Sequence, residues 1–237
     1  MHSPWTYLRL IGAGYVLVRE GVVSMLPPEE LPPAMRFVQK LARPFARRKA
    51  MNADRSDRLA RAVERLGPSW VKLGQFLATR PDVVGAEIAA DLSMLQDRMA
   101  MFPDAEARKE IEDSLGRPIS DLFTRFDPPI AAVSIAQVHP AEVKTETGKK
   151  KVAVKVIRPG VRKRFRKDLD TFYLVAEMQE RYVPATRRLR PIEITRTLEQ
   201  TTKVEMDLRL EAAALSEMAE NTADDPGFRV PLVDWER

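Results

Sequence analysis

The spacing of hydrophobic residues changes from the period of a helix to the period of a strand at about residue 130, and this change limits the possible folds. Before it, apolar residues recur every three or four positions. After it, Val152, Val154 and Val156 share one face of a predicted strand at 150–157, while Lys155 lies on the other face. Long helices are predicted beyond it, at 168–182 and 192–221. This order predicts an α+β fold, because such alternation is typical of a half-buried antiparallel strand.

The first 126 residues are predicted to be helical after an irregular, proline-rich start. Helices are expected at 5–24, 56–66, 68–80, 85–99 and 103–115, with Ser56 as the N-cap of the second. Residues 228–235 are predicted to begin another strand, after a turn at Asp225-Pro-Gly227. The chain is therefore predicted to consist of a basic segment 1–53, a helical extension 54–126 and a sheet-containing segment 127–237.

The composition excludes several kinds of site. Among 237 residues there is no cysteine, so disulfides, thiolate metal ligands and cysteine nucleophiles are absent. The two histidines, His2 and His139, are far apart and have no partner at metal-ligand spacing, so no metal site is predicted. The apolar stretch Leu10–Val18 is too short to span a bilayer and lacks a cleavage site, so a protein that is neither secreted nor membrane-spanning is expected.

Positive charge is concentrated between residues 36 and 65, which hold ten basic and three acidic residues, whereas the whole chain has a net charge of +5. The favoured interpretation is a solvated helix face. The alternative is contact with anionic lipid headgroups or another acidic surface. Nucleic acid is not expected as a partner, because aromatic residues do not alternate regularly with the charges over this stretch.

Three features between 130 and 221 fit phosphoryl-transfer chemistry. Kinase-type sites use a loop over the phosphates, a strand lysine on the phosphate oxygens, and a helix glutamate that orients this lysine. Val152-Ala-Val-Lys155 has the strand-lysine pattern, although four such residues also occur in ordinary strands. The small-residue loop 130–139 lies upstream, and alanine there predicts a stiffer loop than glycine would make.

Four spaced motifs make the chain resemble the UbiB family of atypical kinases, also called aarF-domain-containing kinases, which act in ubiquinone (coenzyme Q) biosynthesis. The first is Leu66-Gly-Pro-Ser-Trp-Val-Lys-Leu-Gly-Gln75, with companions at 79–82 and 95–98. The others lie at 134–139, at 152–160, and at 205–212. The resemblance implies a kinase-like small lobe, an antiparallel sheet with long helices, preceded by a family-specific helical extension. It also leads us to expect that the large lobe is absent from this chain.

The resemblance also implies site residues. Lys155 would bind nucleotide phosphates and Glu211 would orient it, while Lys72 and Gln75 would lie across the substrate cleft. Glu205 and Asp207 resemble the family's Glu-x-Asp pair, associated with Lys72 and the nucleotide pocket. The implied nucleotide loop comprises Ala131, Ala132, Val133, Ser134, Ala136 and Gln137. His139 is interpreted as structural.

The function implied is that of the N-terminal portion of a UbiB-like kinase or ATPase that supports ubiquinone biosynthesis through binding of ATP or ADP with Mg²⁺. The chain has no His-Arg-Asp or Asp-Phe-Gly segment, so the catalytic and metal-binding aspartates would lie in the large lobe. Expected partners are nucleotide, an anionic membrane surface and ubiquinone-biosynthesis proteins, at a cytoplasmic location peripheral to the inner face of the membrane. The alternative is a catalytically dead membrane- or protein-binding module. A small lobe too exposed to be stable is a third hypothesis.

Overall fold

A computed structural model describes residues 2–25, 33–95 and 100–236. Part of the proline-rich start, at 26–32, and motif residues 96–98 lie outside this part. The chain forms two compact units, each built from two separate stretches. The first unit combines Met1–Met99 with Val161–Leu198, and the second combines Ala100–Gly160 with Glu199–Arg237. The boundaries proposed from the sequence, after residues 53 and 126, remain predictions.

Helices form most of the structure. In chain order they are α1 Pro4–Arg19, α2 Pro33–Ala42, α3 Arg48–Met51, α4 Arg55–Leu66, α5 Pro68–Ala78, α6 Pro81–Val84, α7 Ala86–Ser93, α8 Asp104–Leu115, α9 Ile119–Leu122, α10 Val161–Tyr182, α11 Pro191–Glu205 and α12 Leu208–Asn221. Short 3-10 turns occupy Val23–Met25, Arg43–Phe45 and Pro184–Leu189. Within the described residues, no helix combines the length and apolar character that crossing a bilayer requires.

The core of the first unit lies where α4, α5 and α7 meet. Its buried side chains are Leu59, Val63, Val71, Leu92 and Leu95. Gly74 permits this close packing, because a β-carbon added there would lie 2.5 Å from the Leu95 side chain. Trp70 extends the packing to α10, where its ring meets that of Phe172 edge to face at 4.9 Å between centroids.

The basic run at 36–65 is only partly a solvated face. Glu20 is buried and forms ion pairs with Arg47 at 3.4 Å and Arg65 at 3.0 Å. Arg58 donates to the backbone carbonyls of Met51 and Ala53. These arginines are partly exposed, so the interpretation as a solvated surface is incomplete for them: they also neutralise a buried carboxylate and satisfy backbone acceptors.

The second unit contains an antiparallel sheet of β1 Arg125–Phe126, β2 Ala131–Ala132, β3 Ala136–Thr145 and β4 Gly148–Ile157. The hairpin of β3 and β4 pairs along its whole length, while β1 and β2 pair with the other edge of β3. One face of the sheet packs on α8 and α9. Its core consists of Phe102, Ala107, Ile111, Leu122, Phe123, Ala141, Val143 and Val156.

The predicted α+β class is confirmed, with the antiparallel sheet and long helices, but several local predictions are wrong. The expected single helix 192–221 is broken between α11 and α12, where Asp207 is non-helical with φ −104° and ψ 93°. Helix α10 begins at Val161, seven residues before the predicted start at 168. Asp54, not Ser56, occupies the N-cap position of α4.

The end of the chain also differs from the prediction. Residues 228–234 form no strand, and none of the described strands pairs with them. The turn predicted at Asp225-Pro-Gly227 is confirmed. Its Asp225 carboxylate accepts a hydrogen bond from the Gly227 amide at 3.0 Å.

Candidate nucleotide site

Lys155 is held by Glu211 through both carboxylate oxygens. On β4, Val152, Val154 and Val156 pack toward the core, so the lysine projects from the opposite, solvent-facing side of the strand. Its Nζ donates to Oε1 of Glu211 at 2.7 Å and to Oε2 at 2.6 Å. The lysine side chain is 37% exposed and the glutamate 42%. The amine is therefore both oriented and accessible to an anion from solvent.

Helix α12 positions Glu211 because the chain restarts a helix at Leu208. Asp207 is its N-cap, and the side chain accepts a hydrogen bond from the Arg209 amide at 3.2 Å. The same carboxylate forms a two-bond pair with the Arg209 guanidinium at 3.0 and 2.9 Å and raises the pKa of that arginine. Glu211 thus lies in the first turn of α12, where the helix dipole favours a carboxylate.

The alanine-rich loop is a tight hairpin between β2 and β3. The Val133 amide donates to the Ala136 carbonyl at 2.8 Å, and the Arg158 amide donates to the Ile135 carbonyl at 2.8 Å. Ser134 and Ala136 are buried, whereas Ala131 is exposed. The loop is therefore fixed to the strands through its own backbone hydrogen bonds.

The sheet register divides the loop residues between two faces. Ala131 pairs with Val138, and Val138 pairs with Lys155, so these three side chains form one row. Ala132 pairs with Gln137, and Gln137 pairs with Val156, which gives a second row on the other face. Among the loop residues, Ala131 therefore shares a row with the lysine, and its small methyl group leaves space there.

Gln137 points into the core. It is fully buried, and its amide bonds both backbone groups of Phe102: the Phe102 amide donates to Oε1 at 3.2 Å and Nε2 donates to the carbonyl at 3.4 Å. Its Nε2 also donates to Nε2 of His139 at 3.0 Å. The Gln137 side chain is therefore bonded inside the second unit, in the row opposite the Lys155 face. Its predicted part in nucleotide binding remains a prediction.

His139 completes this buried network. Because its Nε2 accepts from Gln137, its Nδ1 carries the proton and donates to the Asp127 carbonyl at 3.0 Å. The ring stacks on Phe126 with centroids 4.6 Å apart. All of these contacts join elements of the second unit to one another, which fits the structural role predicted for this histidine.

Lys72 and Gln75 lie one helical turn apart on α5 of the first unit, and both are half-buried. Their neighbours Val71 and Gly74 are buried, as are Pro68 and Ser69 earlier in the motif. In the second unit, half-buried Glu205 is the last residue of α11, two residues before the cap Asp207. The roles predicted for these four polar residues remain predictions. Sequence reasoning missed the cap role of Asp207, although an aspartate before a helical run is a known signal.

Metal ligands are not assembled in the described part of the chain: no group of three or more His, Asp or Glu side chains there is arranged around a common point. The candidate site is thus an oriented amine beside a small-residue hairpin on an antiparallel sheet. This combination of strand lysine, helix glutamate and loop defines the small lobe of a kinase-like fold.

Comparison with known proteins identifies the type of kinase-like fold. A family model described as "ABC1 atypical kinase-like domain" matches residues 94–237. The chain belongs to the ABC1 atypical kinase-like family. The predicted resemblance to UbiB proteins is confirmed, and so is the predicted architecture of a kinase-like small lobe with a helical extension.

The chain is similar over nearly its full length to proteins named "Probable protein kinase UbiB". It is 41% identical over 229 residues to the one from Marinobacter nauticus, covering 96% of this chain and 41% of that protein. It is 40% identical over 190 residues to that of Pseudomonas fluorescens, covering 80% and 35%. With that of Vibrio vulnificus it shares 37% over 232 residues, covering 98% and 42%. The chain thus spans roughly two-fifths of the length of these curated relatives.

Proposed function

We propose that this chain binds ATP or ADP through Lys155 and contributes, as part of a UbiB-like kinase or ATPase, to ubiquinone biosynthesis. The observation that carries the proposal is the pair of short hydrogen bonds from Lys155 to Glu211. A lysine held in this way on a strand is the phosphate-binding arrangement of kinase-like folds. The matches give no support to the alternative of a catalytically dead binding module.

The residues beside Lys155 fit a nucleotide phosphate. The ammonium has three donors, and a phosphate accepts from a donor that Glu211 keeps in one place. Ala131, in the same row as Lys155, leaves room beside it. The Val133 amide is engaged with Ala136, so phosphate recognition depends more on the lysine than on this amide. Bound with the nucleotide, Mg²⁺ would neutralise part of the phosphate charge.

The test is the affinity for nucleotide of variants with one side chain removed. Lys155→Ala is expected to weaken binding of ADP and MgATP at least tenfold, a loss of about 1.4 kcal/mol. Glu211→Gln is expected to weaken it less, because the amine remains but is no longer held by a charge. The matched controls are Lys151→Ala, which removes an exposed lysine from the same strand, and Glu217→Gln on α12. Isothermal titration calorimetry measures all four, and equal affinities of Lys155→Ala and the unchanged chain would contradict the proposal.

The role in ubiquinone biosynthesis rests on the names of the relatives and on the resemblance. Deletion of the gene should lower the ubiquinone content of the source cells, measured in lipid extracts. Restoration by the unchanged gene but not by the Lys155→Ala form would link the pathway to the nucleotide site. Restoration by both genes would mean that the role in ubiquinone biosynthesis does not depend on nucleotide binding at Lys155.

A further inference from the structure

The outward face of α1 is apolar although it is exposed to solvent. The exposed side chains of this helix include no charged residue, and the large ones are Trp5, Tyr7, Leu8, Ile11 and Tyr15. Trp5 is 70% exposed and Ile11 68%. The residues that α1 buries are small, Thr6 and Ala13. Helix α1 thus presents its bulkiest apolar side chains to solvent, the reverse of an ordinary surface helix.

One cationic group flanks α1 at the start of α10. Arg9 of α1 donates to the Lys167 backbone carbonyl at 3.0 Å, which places the two helices side by side within the first unit. The exposed basic residues of this part of α10 are Arg162, Lys163, Arg164, Arg166 and Lys167. No acidic residue lies in the first turn of α10. Cations at a helix N-terminus oppose the helix dipole, and a bound anionic surface would relieve this repulsion.

A second group of apolar and basic residues joins the other end of α1. The Arg19 guanidinium reaches the Phe45 carbonyl at 3.5 Å, and the Arg47 amide donates to the Arg19 carbonyl at 3.0 Å. The exposed aromatic and aliphatic side chains here are Phe37, Leu41 and Phe45. The exposed basic side chains among them are Arg36, Lys40, Arg43, Arg48 and Lys49.

We propose that α1 and α2 form a docking surface for an anionic lipid bilayer, with α1 lying in the plane of the membrane. Tryptophan and tyrosine favour the boundary between headgroups and acyl chains, and the basic residues at both ends of α1 match the charge of anionic headgroups. A nucleic acid would leave the aliphatic side chains Leu8, Ile11 and Leu41 without a partner. The surface does not depend on nucleotide binding at Lys155.

The apolar part of the proposal is tested with two double variants. The probes are vesicles of phosphatidylcholine alone and vesicles with about one-third phosphatidylglycerol, in a sedimentation assay. Leu8→Gln/Ile11→Gln is expected to weaken binding to the anionic vesicles at least tenfold. Met218→Gln/Leu232→Gln, which removes exposed apolar side chains from the second unit, is expected to bind like the unchanged chain. An equal loss of binding to anionic vesicles in both double variants, or no loss in either, would overturn the proposal.

The charge part has its own matched pair. Lys163→Glu/Arg166→Glu reverses two charges beside α1, and Lys149→Glu/Lys150→Glu reverses two exposed charges on the β3–β4 hairpin. If the α10 group contacts headgroups, only Lys163→Glu/Arg166→Glu loses the preference for phosphatidylglycerol. Rising salt then weakens vesicle binding by the unchanged chain and by Lys149→Glu/Lys150→Glu, by less than tenfold. Equal effects of the two pairs would indicate attraction by net charge alone and would overturn the proposed surface.

Insertion is followed by tryptophan fluorescence. A blue shift on addition of anionic vesicles is expected for the unchanged chain and for Trp235→Phe, and it should disappear in Trp5→Phe. A second copy of this chain is the competing occupant. Analytical ultracentrifugation tests for such a dimer. A dimer that Leu8→Gln/Ile11→Gln dissociates, and that does not bind vesicles, would overturn the lipid proposal. Circular dichroism verifies that each variant remains folded.

Discussion

Gln137, a residue of the nucleotide-loop motif, forms its hydrogen bonds inside the second unit. Its amide bonds both backbone groups of Phe102 and the His139 ring. The motif suggested a side chain near the phosphates, but its partner is backbone 35 residues away, and no local sequence pattern reveals such a contact. In contrast, the Lys155 and Glu211 pair, 56 residues apart, was anticipated only through the family resemblance.

Removal of the Gln137 amide should reduce stability. Gln137→Ala leaves buried donors and acceptors of Phe102 and His139 without partners, at a cost of about 1–3 kcal/mol. Gln179→Ala, at an exposed position of α10, is the control and should change stability by less than about 0.5 kcal/mol. Urea unfolding measures both. A stable Gln137→Ala with lost ADP affinity would instead assign this residue to nucleotide contact.

Asp168 should make stability depend on pH. Burial raises the pKa of its carboxyl, an effect larger than the lowering by the nearby Ser69 hydroxyl and by the charges of Arg164, Arg9 and Lys167. The folded state therefore holds this proton to a higher pH than the unfolded chain does. Stability falls as the pH rises from the ordinary aspartate pKa through the raised one, and the cost is fully present above it.

Asp168→Asn removes this titration. The free energy of unfolding of the unchanged chain, relative to Asp168→Asn, should decline across that pH interval and then level off. Urea titrations at a series of acidic and neutral pH values measure the difference. Asp170→Asn, at an exposed position of the same helix, should give a flatter difference. If the free energy of unfolding of the unchanged chain instead rose with pH relative to that of Asp168→Asn, the raised pKa assigned to Asp168 would be contradicted.

At the scale of elements, alternation along β4 was enough to predict that strand, because a half-buried strand must alternate. The break between α11 and α12 was missed because residues 205–210 suit a helix, so only the capping geometry of Asp207 separates the two. The start of α10 was missed because basic residues dominate 162–167 and hide the apolar pattern of a helix. In fact Val161 and Phe165 among them are buried.

Two glycines in helices should respond oppositely to alanine. At Gly74 of α5, an added β-carbon would lie 2.5 Å from the Leu95 side chain. Gly74→Ala is therefore expected to destabilise the folded chain by about 1–3 kcal/mol, although alanine has the better helix propensity. Gly12 of α1 has nothing within 4 Å of an added β-carbon, and Gly12→Ala is expected to stabilise by up to about 1 kcal/mol. Thermal unfolding monitored by circular dichroism measures both. The packing argument fails if Gly74→Ala proves as stabilising as Gly12→Ala.

At the scale of the molecule, the change from helices to sheet and back to long helices was predicted, but the assembly of each unit from two separate stretches was not. Hydrophobic periodicity is a local signal and does not say which distant segments pack together. Trp70 shows the difference. Its place on a helix at 68–80 was predicted, while its partner Phe172 comes from α10, which follows the whole sheet in the chain.

This separation bears on how the chain is made. A ribosome adds roughly 5–20 residues per second, so on the order of 5–20 s pass between the synthesis of Trp70 and the synthesis of Phe172. The β3–β4 hairpin, whose strands are consecutive, is complete during that wait. The nascent first unit therefore spends seconds with the surface of α5 uncovered, while the next unit already has its hairpin. A chaperone that shields apolar helices early in translation would protect this chain at the stage when aggregation threatens it most.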